Sequence, residues 1–355
     1  MSRLSLSQSL NVLRQKSAAA SAPSSSMVPQ YVLFGALAIA LPIVILFSVE
    51  LWLVSTYSGA LGIRRVYQQY FVGIYRYRIF GRDLYLLLYQ FLHAHFNDRP
   101  YPMPRDPTTS LLSYFAFAIS NGIYFGISNL ILLSMMWVKK QGFRDRDLAL
   151  YLFYTLLVAL SMAVVTPYDQ TAYLLLLIGI VGSRQRSIAV GLTLITVSAI
   201  AGTLNRETEF LLASFLATMA IVSPAILAKR YWIYLAVDMV LSAAIYVGLR
   251  VWMPNHVRFI AYLTMGGIWG AESVLVLILL FAGAIVLAMK LHRSVWPALI
   301  LLVMCSPYLA TIVMGSSFRE LRISIPIFLC LIGVYFSLSR AAEAPTDNGA
   351  VPVIG

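Results

Sequence analysis

From residue 31 to residue 339 the chain is a succession of apolar runs, most of them close to the twenty residues a helix needs to cross a bilayer's hydrocarbon core. Apart from 56–108 and 250–270, the connections between the runs hold only a few residues, many of them charged. In hydrocarbon, backbone N–H and C=O groups must be satisfied within a helix or a closed barrel, so runs of this length fold as helices. Ten crossings are predicted, near 31–55, 109–138, 147–166, 169–183, 186–204, 208–228, 231–249, 271–290, 295–315 and 322–339. The fold class is all-α, a polytopic transmembrane helical bundle.

A segment spanning 1–30 precedes the transmembrane domain of 31–339, and a polar tail spans 340–355. The N-terminal segment is rich in Ser and Ala, carries Arg3, Arg14 and Lys16, and lacks the apolar stretch of a signal peptide. It reads as a disordered or surface-lying cytoplasmic tail. Charged residues make up 11% of the chain against about 25% in a soluble domain, which leaves no room for a large soluble unit. The net charge of +12 then reads as a topology signal and as contact with anionic headgroups, not as a nucleic-acid footprint. Cys305 and Cys330 lie inside apolar runs, as small buried hydrophobes do.

Lys and Arg set the orientation. With the N-terminus inside, the cytoplasmic connections are 139–146, 184–186, 229–230 and 290–293, all short and basic. The opposite face then receives Glu50, Asp83, Asp98, Asp106, Asp169, Glu207, Glu209, Glu272 and Glu320. Both termini are expected in the cytoplasm. This assignment depends on the short run 169–183, which at 1.5 Å per residue covers roughly 22 Å. The run 109–138 contains Asn121, Gly122 and Gly126, so a bend is expected there.

The first outer segment, 56–108, is more than a loop. Residues 64–80 mix arginine and glutamine with Tyr67, Tyr70, Phe71, Tyr75, Tyr77 and Phe80, a composition suited to a helix in the headgroup layer. A second amphipathic or partly inserted helix is expected over 83–96. The proline-rich run from Asp98 to Pro107 follows, where helix is excluded.

Five polar clusters fall on the outer face. They are Glu50; Arg76, Arg78, Arg82 and Asp83; Pro167 to Gln170; Asn205 to Glu209; and Phe318 to Arg322. Guanidinium groups suit phosphate, because a planar fork donates two parallel hydrogen bonds and keeps its charge when partly buried. Interfacial arginines also snorkel to lipid phosphates, so Arg76, Arg78 and Arg82 fit either role. Glu207 and Glu209 need a compensating charge, for which Arg206 is the local partner, and Thr208 is placed to cap the next helix. Arg319 and Arg322 stand three apart ahead of the last crossing, where Pro326 frees carbonyls or bends the helix. Asp169 suits a helix cap as well as a site. Glu50 interrupts an apolar run, which is costly unless it faces a cavity or a partner. Asp238 is intramembrane too, and reads as a packing or ion-pair residue beside Lys229 or Arg230. The four histidines share no metal-ligand spacing. No phosphate-binding glycine loop occurs, so any energy comes from the substrate or from an ion gradient.

Many crossings, interfacial helices in the first outer loop, and acids and arginines gathered on that face together resemble the C-type glycosyltransferase superfamily. More loosely, the chain looks like the membrane proteins of bacterial exopolysaccharide and O-antigen clusters. The features that carry the resemblance are Glu50, Tyr75 to Arg78, Asn205 to Thr208, and Arg319 to Arg322. It implies a sugar transferase or polysaccharide polymerase in a bacterial inner membrane, using a polyprenyl-phosphate-linked donor on the non-cytoplasmic face. Glu50, Asp83 or Glu207 would then be the base. Arg206, Arg319 and Arg322 would clamp the donor phosphate, with Arg76, Arg78 and Asp169 as further substrate contacts. No cofactor is required; a divalent metal is compatible with the chemistry, although no Asp-x-Asp pair follows the first crossing. Two other classes fit the same features. One is a transporter or flippase of lipid-linked sugars, with polar residues along a through-path. The other is a non-catalytic membrane subunit of a larger cell-envelope assembly, its outer charges paired with one another.

Overall fold

The computed structural model describes residues 28–52, 67–68, 71, 78–99, 110–137, 143–161, 169–253, 283, 294–315 and 321–343. Their regular elements are all helical. The first rod is α1 (Val28–Gly35), a π segment (Ala36–Ala40) and α2 (Leu41–Trp52), with helical backbone through both junctions. Then come α3 (Ile79–His95), α4 (Leu111–Met136), α5 (Asp145–Ser161), α6 (Asp169–Ser183) and α7 (Ile188–Asn205). A 3-10 turn (Glu207–Glu209) leads into α8 (Phe210–Val222) and α9 (Ala225–Trp252), and α10 (Trp296–Met304), α11 (Ser306–Gly315) and α12 (Leu321–Glu343) follow. Four stretches among the described residues are long and apolar enough to span a membrane: Val28–Leu46, Leu111–Met136, Ile188–Asn205 and Ala225–Trp252.

The short run 169–183 is a helix over those residues, and its surroundings explain its length. Thirteen of the fifteen residues of α6 are buried, because α4, α7, α8 and α12 pack around it. A helix that touches protein instead of lipid has no hydrocarbon thickness to match. Polar backbone at its ends is tolerated where protein covers it. Glycines bring the neighbours close, as small residues do between membrane helices. At Gly191 of α7 an added Cβ would collide with the Tyr234 ring and hydroxyl of α9.

Several boundaries differ from the sequence expectation. The turn between α8 and α9 falls at Ser223-Pro224, not at 229–230, since Pro224 cannot continue a helix as donor but suits the position before a new one. Lys229 and Arg230 therefore sit in the first turns of α9, still at the same end of the bundle. The run 295–315 is interrupted at Cys305, two residues before Pro307. Through Gly122 and Gly126 α4 continues as one helix of 26 residues; at Gly122 it meets Leu46 of α2. Crossing 271–290 and most of 64–80 lie outside the described residues.

Outside the bundle core, α3 packs on α4 and α7. The Tyr85 hydroxyl, buried in that contact, lies 2.6 Å from the Ser113 hydroxyl. Asp98 accepts from the backbone N–H groups of Arg99 and Leu112 at 2.9 and 3.2 Å, which ties the start of the proline-rich run to the first turn of α4. Ser110 completes that end by accepting from Ser113 N–H. Both cysteines are buried and unbridged.

Candidate functional site

The length of α8 fixes the depth of the polar turn before it. It holds 13 residues, roughly 20 Å at 1.5 Å per residue, and turns directly into the antiparallel α9, which is more than twice as long. The turn 206–209 consequently lies opposite the middle of α9, not at the rim of the bundle. Burial agrees: Asn205, Arg206, Thr208 and Glu209 are all buried. A connection that the sequence places on the outer surface is an interior feature.

Arg206 extends from this turn to Asp169, the first residue of α6, and its Nη1 makes an ion pair with Asp169 Oδ1. The Asp169 side chain has no exposed surface and Arg206 is almost as enclosed. Two charges taken out of water together hold only with good geometry and further hydrogen bonds, and a membrane interior retains them mostly for function. The Tyr173 hydroxyl feels both charges from one turn further along α6, and Tyr154 and Tyr308 complete the surround.

Arg206 therefore pairs with Asp169, thirty-seven residues away in the chain. Glu209 instead accepts from the Ser198 hydroxyl of α7 at 2.7 Å. The same hydroxyl lies 2.7 Å from the Leu175 carbonyl, so one proton serves two acceptors. Glu209 fits over Gly202, where a Cβ would occupy the place of its carboxylate. Thr208 makes no side-chain cap for α8, whose N-cap residue is Glu209.

Asp238 stands in the middle of α9, 1% exposed, and interacts electrostatically with Glu209. Among the described residues no donor reaches either of its oxygens at bonding geometry; Ser242, one turn on, approaches it without closing a hydrogen bond. The expected ion pair with Lys229 or Arg230 does not form. Arg230 lies two turns away and donates to the Tyr234 hydroxyl at 2.7 Å and to the Gln185 carbonyl.

These residues belong to a row that sequence reasoning missed: Arg230, Tyr234, Asp238, Ser242, Tyr246 and Arg250, polar at every fourth position along α9. The four-residue spacing is legible in the sequence. On a helix of 3.6 residues per turn it drifts about 40° per step, so the row spirals. Its middle members Tyr234, Asp238 and Ser242 face the bundle and are buried, while Tyr246 and Arg250 are half-buried at one end. This row crosses a helix whose other faces are largely exposed and apolar.

The remaining expected residues are spread more widely. Glu50 lies near the C-terminal end of α2, one turn past Leu46, and Glu207 opens the 3-10 turn beside Arg206. Asp83 is half-exposed at the start of α3 and accepts from Arg82 Nε at 2.6 Å. Arg82 in turn lies over the Phe71 ring at 4.2 Å. Arg78 is buried immediately before α3. Arg322 is the second residue of α12, which packs on α6 and α8. Arg76 and Arg319 lie outside the described residues. Asp169 and Arg206 thus come together, whereas Asp83 is engaged at a separate helix. No family model matches the chain, and neither a curated protein nor a solved structure matches it significantly.

Proposed function

We propose that this chain is a polytopic membrane transferase of about ten crossings with both termini cytoplasmic. It moves a sugar from a polyprenyl-phosphate-linked donor on the non-cytoplasmic face, in the half of the bundle that carries Asp169 and Arg206. The observation that supports it most is the buried Asp169–Arg206 pair at the ends of two shortened helices, with a second carboxylate, Glu209, close by. A guanidinium held this way is pre-organised for phosphate, and the leaving phosphate is where negative charge grows. A carboxylate takes the acceptor hydroxyl's proton, the hydroxyl oxygen attacks the anomeric carbon, and the bond from that carbon to the phosphate oxygen breaks. The phosphate leaves with the bonding electrons, neutralised by Arg206. Glu207 is the candidate base nearest Arg206 in the chain, with Glu50 and Asp83 as the others.

The test is transfer from a polyprenyl-phosphate sugar by purified protein in proteoliposomes, comparing wild type with Glu50→Gln, Asp83→Asn and Glu207→Gln. At least one variant is expected to lose about 100-fold or more, within the range of a general base. Asp83→Asn is expected to lose least, since Asp83 is bound to Arg82. Full activity in all three rejects the mechanism.

A second reading, a flippase for lipid-linked sugars, has its own support in the polar row of α9 and in Asp238, a buried carboxyl that no donor among the described residues reaches at bonding geometry. Intramembrane carboxyls of this kind mark ion and substrate pathways. Asp238→Asn removes the buried charge and is expected to leave thermal stability equal or higher. If it abolishes translocation of a fluorescent lipid-linked sugar while transfer persists, the flippase reading stands. If both rates are unchanged, Asp238 serves neither.

A further inference from the structure

Oxygen-bearing side chains of α7, α8 and α9 converge inside the bundle. Ser198 of α7 donates to Glu209, the residue at the head of α8, at 2.7 Å. Asp238 of α9 interacts with Glu209 electrostatically, and Ser242 follows Asp238 one turn on and turns its hydroxyl toward it. Tyr234, one turn before Asp238, packs on Gly191 of α7, so this face of α9 looks onto α7. None of the four polar residues is more than 3% exposed.

The convergent atoms are carboxylate and hydroxyl oxygens, the donors that hard cations prefer; zinc and the softer metals are held by nitrogen and sulfur. Both oxygens of Asp238 and the hydroxyl of Ser242 make no hydrogen bond among the described residues. Polar atoms this deep in a protein find a partner, and a bound ion is one. Two carboxylates brought together out of water repel, and a cation between them turns that repulsion into attraction. Ser242 adds a neutral oxygen from the same face of α9, so the group is a ligand set and not only a pair of acids.

The enclosure also chooses the ion. Calcium takes about six to eight oxygens, and magnesium keeps several of its waters. Here two carboxylates and two hydroxyls face one another, and the Ser198 hydroxyl is already joined to one Glu209 oxygen. A ligand set this small, in a place this closed, suits a monovalent ion. The turn that carries Glu209 lies opposite the middle of α9, the depth at which intramembrane carboxyls mark ion pathways.

We propose that Glu209 and Asp238, together with the Ser242 hydroxyl, bind a monovalent metal cation of the sodium class within the bundle. The site rests on neither the transferase nor the flippase reading, because ion binding is measured without any sugar substrate.

The test is equilibrium dialysis of the purified full chain in detergent against radioactive sodium, with size-exclusion elution showing that each variant is folded. Wild type is expected to bind sodium saturably. Asp238→Asn and Glu209→Gln are each expected to weaken binding about tenfold or more, since affinity at oxygen sites follows ligand charge. Ser242→Ala keeps both carboxyls and is expected to weaken it by a smaller factor. Asp145→Asn, at an exposed acid in the first turn of α5, is expected to bind like wild type. Absence of saturable sodium binding, or wild-type affinity in Asp238→Asn, overturns the site. Wild-type affinity in Ser242→Ala overturns the ligand set. Equal loss in Asp145→Asn and Asp238→Asn would mean diffuse counter-ions and overturn the site as well. Displacement of sodium by calcium at far lower concentration would mean a divalent site and overturn the monovalent assignment.

Discussion

Asp169→Asn and Arg206→Gln are each expected to lower unfolding stability by about 3–5 kcal/mol, the cost of leaving one buried charge without its partner. The pair is enclosed on both sides, so solvent cannot take over the role of the missing group. The double variant removes both charges and is expected to lose clearly less than the sum of the single losses, because no orphan charge remains. Reversible SDS-induced unfolding in mixed micelles measures all three against wild type. Additive losses below about 1 kcal/mol each would show that the pair carries only the weight of an exposed ion pair. The same variants separate stability from function: if the double variant folds but does not transfer sugar, Arg206 acts on substrate as well as on the fold.

Gly202→Ala is expected to be nearly as damaging for the addition of one methyl group. The new Cβ would fall where the Glu209 carboxylate lies, and overfilling a packed interior costs about 1–3 kcal/mol. Glu209 would also move away from Ser198, losing its 2.7 Å bond, and the 3-10 turn that positions Arg206 would shift with it. Gly126→Ala is the matched control. Nothing lies within 4 Å of its added Cβ, so the helix gains up to about 1 kcal/mol of intrinsic propensity. Opposite signs for the two substitutions in the same unfolding assay are the expected result; equal signs would place Glu209 elsewhere.

The paired charges also explain how much of the site was legible in advance. Glu207 and Glu209 visibly need a counter-charge, and Arg206 lies beside them in sequence. The sequence does not show that the Arg206 guanidinium reaches across to Asp169 of α6 while Glu209 folds back onto α7. Asp83, by contrast, has the adjacent Arg82 as its partner, a contact not drawn from the sequence. The α9 row stood in the sequence as a repeat of four, but hydropathy conceals it. Three apolar residues between each polar pair keep the window average high enough for a membrane span.

What the sequence determined by itself is what local chemistry controls. Long apolar runs make helices because hydrocarbon leaves the backbone no other partner. Pro224 and Pro307 accompany interruptions because proline supplies no N–H, although the expected crossings 208–228 and 295–315 run through both. Tertiary structure decided which of those helices faces lipid and which faces protein. The run 169–183 is too short for comfort in a bilayer, yet thirteen of its fifteen residues are buried against neighbouring helices, and that enclosure releases it from matching the hydrocarbon thickness. Because α8 is short and folds straight back along α9, a turn that reads as outer surface lies within the bundle. Depth, and with it the partner of every charge in that turn, follows from how helices of unequal length pack, which no window of sequence contains.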